Sequence, residues 1–141
     1  MRKRVRETGD ETVITRLHQV GLRPTRPRID LAKLLFRNGH RHLTAEMLHA
    51  EAVAEGVQVS LATIYNTLHQ FTLAGLLLQV VVDPTRRYFD TNTVPHQHFY
   101  CEDEDVLIDI LGPEIAIGGL PAAPSGTQVE RVDVVVHLRR H

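Results

Sequence analysis

Four residues, Gly56 to Val59, join two stretches of helical periodicity, and no other feature of the sequence constrains the fold as strongly. The first stretch opens at Thr44, turns Ala45, Leu48, Ala52 and Val53 to one face, and ends before Gly56. The second opens at Ser60, lines up Leu61, Ile64, Leu68 and Phe71, and closes at Gly75. So short a connection forces the two helices into a sharp angle, which is the helix-turn-helix arrangement. Immediately after Gly75, LLLQVVVDPTRRYFD reads as two β-runs around an Asp83-Pro84 turn, because proline presets the turn dihedral and cannot sit in a central strand. A hairpin in that place is a wing.

Two further helices precede these. Residues 10 to 20 space Val13, Ile14, Leu17 and Val20 helically and stop at Gly21, and a second helix runs from Thr25, as N-cap, to Asn38-Gly39. From residue 92 the pattern changes to strands, with HQHFYC and VLIDI flanking the acidic turn Glu102 to Asp105 and VERVDVVVHL near the end. The expectation is an α+β chain, with a winged helix-turn-helix domain at residues 1–91 and a small β-rich (α/β) domain at residues 92–141. A chain of 141 residues divided in this way gives each part little core, so association with a second copy is expected. No apolar run approaches the roughly 18 residues of a membrane helix, and one cysteine, Cys101, fits a soluble protein of a reducing cytoplasm.

The formal net charge of −1 hides a gradient. Residues 1–42 hold 11 basic and 4 acidic residues, residues 43–83 hold none and 4, and residues 84–141 hold 5 and 9. A basic front on an acidic body suits double-stranded DNA as partner. The helix opened by Ser60 then presents Ser60, Thr63, Asn66, Thr67 and Gln70 outward with Tyr65 and His69 at the margins, an uncharged, hydrogen-bonding face fit to read base edges in a major groove. Arg23, Arg26, Arg28, Arg41, Arg86 and Arg87 would neutralise phosphates, or Arg23, beside Pro24, would enter a minor groove, whereas Arg2 to Arg6 read as a solvated tail.

A second constellation lies in the strands. His96 and His98 are two residues apart, so on a strand both point to one face. If residues 103 and 104 form a two-residue turn, Asp109 stands opposite His98 on that same face. Asp90 could swing in from the hinge after the wing and His42 from the loop before the third helix. Imidazole with carboxylate suits Fe(II), Mn(II) or Zn(II), and a filled site at the hinge would set the angle between the two halves of the chain. Paired histidines, His96 and His98, also suit haem as axial donors. A different class remains open at this point: His96, His98 and Asp109 have the composition of a 2-His-1-carboxylate non-haem iron enzyme, although nothing else in the chain suggests a substrate pocket.

GLRPTRPRIDLAKLL, HLTAEMLHAEA, SLATIYNTLHQF, RRYFD and HQHFYCEDEDVLID run in the order seen in the ferric-uptake-regulator (Fur) superfamily, which this chain resembles over about residues 13–110. LATIYNTLHQFTLAGLL and VERVDVVVHLRR are most similar to the iron response regulators (Irr) of rhizobia and related α-proteobacteria. The resemblance implies a homodimeric repressor or activator of iron and haem metabolism genes, not an enzyme, that binds an operator and responds to haem, or to Fe(II) or Mn(II) as sole co-repressor. It matches the family's regulatory ligands to His42, Asp90, His96, His98 and Asp109. It matches the family's DNA contacts to Arg23, Arg28, Tyr65 and Asn66. There are also departures. Cys101 stands alone with Glu104 at the second position of a CxxC pair, which argues against a structural zinc, and Gln97 breaks the three-His run of some iron response regulators.

Overall fold

The computed structural model of the chain describes residues 2–112 and 115–141, without the side chains of residues 2–8. The solvated tail expected at Arg2 to Arg6 therefore lies outside the described side chains. The chain divides into two compact units, Met1–Thr93 and Val94–His141.

The first unit holds helices α1 (Arg2–Gln19), α2 (Arg26–Phe36), α3 (Ala45–Ala54) and α4 (Leu61–Leu73), and strands β1 (His42–Leu43), β2 (Leu78–Asp83) and β3 (Arg86–Asp90). Local chemistry sets the helix ends. Thr44 caps α3 by accepting from the Met47 amide at 3.2 Å, and Ser60 caps α4 by accepting from the Thr63 amide at 3.1 Å. Thr25 stands at the N-cap of α2 without a side-chain cap; Pro27, in the first turn, supplies the preset φ instead. Gly56 takes φ 73° at the end of α3, where Val57 N–H reaches back to the Ala52 carbonyl at 2.8 Å, a termination that a residue with a Cβ adopts only under strain. Leu17, Leu31, Leu35, Leu43, Leu48, Ile64, Leu68 and Phe71 are fully buried and form one core contributed by all four helices and β1.

The wing is a three-stranded antiparallel sheet in the order β1-β3-β2. His42 is a strand residue, paired with Asp90, where the sequence placed it in a loop. Two paired residues carry no periodicity, and their partner lies far along the chain, so only the tertiary fold defines the strand.

The second unit holds β4 (His98–Cys101), β5 (Val106–Asp109) and β6 (Val135–Leu138) in the order β5-β4-β6, with β4 antiparallel to β5 and parallel to β6. The β4–β5 register, His98 with Asp109 through Cys101 with Val106, is the one a turn centred on residues 103 and 104 dictates. Asp105 completes that turn at φ 53°, its amide reaching the Glu102 carbonyl at 3.3 Å. The strand expected over residues 129–138 shortens to β6, because β4 offers only four residues to pair with. Among the described residues, no helix is long and apolar enough to cross a membrane.

Candidate functional site

In the second unit the register sets His98 opposite Asp109, and His96, in the segment just before β4 where the sequence suggested a strand, reaches the same carboxylate. Asp109 Oδ1 lies 3.3 Å from His96 Nε2 and 3.3 Å from His98 Nε2, and the two imidazole centroids are 4.5 Å apart. One nitrogen from each ring and one carboxylate oxygen thus fall within 4.8 Å of one another. His96 Nδ1 sits 2.6 Å from the Val94 carbonyl. A carbonyl accepts only, so Nδ1 is the donor there, and that contact orients the ring with Nε2 toward Asp109. The His98 side chain is 3% exposed and that of Asp109 39%, so the cluster is walled on the histidine side and open on the carboxylate side. Two imidazoles and one carboxylate form a donor set of borderline hardness, suited to Mn(II), Fe(II) or Zn(II).

The first unit separately pairs His42 with Asp90 across β1 and β3. Asp90 is 1% exposed and its Oδ1 accepts from the Asn92 amide at 2.9 Å. The His42 ring meets Tyr88 edge-on at 6.2 Å between centroids.

The groove-reading face expected on α4 is narrower than the sequence suggested. Tyr65, Asn66 and His69 are exposed, but Thr67 is 6% exposed and belongs to the core face. It lies three residues after Ile64 and four before Phe71, on the buried stripe that the apolar residues alone underestimated. The Ser60 hydroxyl donates to Thr63 Oγ1 at 2.9 Å and accepts from the Thr63 amide as the cap, and Gln70 accepts from Arg28 Nη2. Arg28 also donates from Nη1 to the Arg23 carbonyl at 2.9 Å, so its guanidinium ties the loop before α2 to α4 while Arg23 itself stays exposed. Arg26 pairs with Asp10 and Asp30, both at 3.2 Å, while its side chain stays 60% exposed, whereas Arg41, 22% exposed, is held by Glu51.

One residue escaped the sequence reasoning. Glu46, in the first turn of α3, accepts a hydrogen bond from the Tyr65 hydroxyl on α4. That bond holds the Glu46 carboxyl below its ordinary range, aided by the charge of Arg86, and it pushes the Tyr65 phenol above its own, against the opposing pull of Arg87. In sequence Glu46 carries only the signal of an acid near a helix N-terminus.

With this geometry in hand, the known proteins similar to the chain can be placed. The model of the ferric uptake regulator family matches residues 19–136. A ferric uptake regulation protein of Bordetella parapertussis is 32% identical over 100 residues, 70% of this chain and 72% of that one. The peroxide-responsive repressor PerR of Staphylococcus aureus is 30% identical over 105 residues, 74% of this chain and 70% of that one. Among solved structures, the ferric uptake regulator from Pseudomonas aeruginosa with manganese superposes with a TM-score of 0.66 at 24% identity, over 89% of this chain and 96% of that one.

Proposed function

The chain belongs to the ferric uptake regulator family, and on that premise we propose that it is a metal-responsive transcription regulator that binds an operator in double-stranded DNA. The convergence of His96 Nε2, His98 Nε2 and Asp109 Oδ1 carries the metal half of this reading. Fe(II) or Mn(II) is the proposed effector at that cluster; His42 and Asp90, the other two positions that match the family's ligands, are paired with each other within the first unit. A bound cation supplies positive charge opposite the Asp109 carboxylate and fixes β4 to β5 through His98 and Asp109. The DNA half rests on α4, where Tyr65 and Asn66 are exposed, with Arg23 at the phosphates. Ser60 and Thr63 shape the helix start, and Arg28 sets the Arg23 loop.

A homodimer belongs to the proposal. Among the described residues of Val94–His141 the buried hydrophobic ones are Tyr100, Cys101 and Leu107, whereas Ile108, Leu111, Leu120 and Val129 are 43%, 87%, 53% and 55% exposed. So small a core gains from burial against a second copy.

The haem-responsive subtype, the iron response regulators, stands second. Its support is the imidazole pair, but both Nε2 atoms already face one carboxylate and would have to leave it to reach a porphyrin iron. Titrating metal-free protein with Mn(II), and separately with haem, while following binding to a duplex selected from a random-sequence pool decides between them. Tighter binding with Mn(II) alone supports the metal reading, a response to haem alone overturns it, and a response to neither removes both Mn(II) and haem as effectors.

A further inference from the structure

The pairing of Glu46 with Tyr65 joins the two helices of the helix-turn-helix through their side chains, on the face that the proposed reading turns toward DNA. Tyr65 is 44% exposed. An aromatic ring so placed on a helix surface ordinarily samples several rotamers, and ordering it on binding costs affinity. A phenol donating to a carboxylate makes a charge-assisted bond, which is stronger than a neutral one and holds the ring in one orientation beforehand. The bond also fixes the role of the hydroxyl. With its one proton committed to Glu46, the oxygen meets a base edge only as an acceptor, and so fits the amino groups of adenine or cytosine rather than the acceptor edge of guanine. An acid so near phosphates would ordinarily repel them; here the charge of Arg86 acts on Glu46 and that of Arg87 on Tyr65, which offsets part of that repulsion.

We propose that Glu46 is a positioning residue for base readout: its carboxylate holds the Tyr65 hydroxyl as an acceptor and thereby contributes to operator selectivity without touching DNA. This rests on the DNA-binding reading above, and the test keeps the two apart. The full chain, loaded with Mn(II), selects duplexes from a random-sequence pool, and affinities for the selected duplex and a scrambled one are then measured. Glu46→Ala and Tyr65→Phe are each expected to lower the selected-to-scrambled ratio roughly 5-fold or more, and the double variant no further than either alone. Glu46→Gln keeps an acceptor oxygen while losing the charge assistance, and should give a ratio between that of the parent and that of Glu46→Ala. An unchanged ratio in Glu46→Ala, losses that add in the double variant, or equal losses in the Gln and Ala variants overturn the proposal and leave the DNA reading standing. A parent chain that selects no duplex overturns both. Should Glu46→Ala melt early, Tyr65→Phe removes the same bond from the other side, and an unchanged ratio there is equally decisive.

Discussion

Replacing Asp109 with Asn tests the candidate metal centre most directly, because it keeps the shape of the side chain and removes one charge. A divalent ion and a unit negative charge 4 Å apart at an effective dielectric of about 20 attract by about 8 kcal/mol. Asp109 is 39% exposed, and the ion gives up hydration to reach it, so a loss of roughly 2–3 kcal/mol, on the order of 100-fold in Mn(II) affinity, is expected. Thermal melting converts this into a readable shift. At a Mn(II) concentration of about 100 times the parent dissociation constant, binding to the folded state adds about 2.7 kcal/mol and raises the melting temperature by roughly 5–10 °C. In Asp109→Asn the same concentration only matches the dissociation constant, which leaves about 0.4 kcal/mol and a shift of roughly 1 °C. Without metal, the two proteins should melt within about 0.5 kcal/mol of each other, as expected for a partly exposed substitution. Equal Mn(II)-induced shifts in parent and variant would refute the assignment of Asp109, and a parent chain indifferent to Mn(II) would refute the site.

Three further outcomes rest on particular contacts. Thr67→Ala should lower stability by about 1 kcal/mol in urea melts yet leave the selected-to-scrambled DNA ratio intact, whereas Asn66→Ala should do the reverse; a ratio lost in the Thr67 variant would return that residue to the reading face. Asp10 joins α1 to Lys33 of α2 at 2.8 Å, and this bond chiefly, with help from Arg26, holds its carboxyl below the ordinary value. Its contribution, about 0.5–1 kcal/mol, is therefore present above pH about 4 and is lost as pH falls through the lowered folded-state value, so the stability gap between parent and Asp10→Asn should close in acid; a gap independent of pH contradicts the sign. Finally, Arg23 and Arg87 are exposed and Arg28 and Arg86 partly so, which predicts that the logarithm of DNA affinity falls against log salt with a slope of about −2 to −4 per protomer; a flat dependence would count against DNA as partner.

How much of this was legible in the sequence depended on whether the determining interactions were local. The caps at Thr44 and Ser60, the left-handed Gly56 and the turn at residues 103 and 104 each act within a few positions, and each can be read from neighbouring residues. The turn carries furthest, because once two residues reverse the strand, register alone places Asp109 opposite His98; His96 lies just before β4 and reaches the same carboxylate from outside the strand. Features set at a distance escaped. β1 exists only because β3 offers it an edge, and β6 is cut to the length of β4. Arg41 counts as free positive charge until the fold brings Glu51 to it. Phosphate contacts position a protein on the duplex without reading sequence, so any operator selectivity falls to the groups exposed on α4. Tyr65 among them has its orientation fixed by a side chain from another helix, so the selectivity expected of the reading helix depends on α3 as well as on its own sequence.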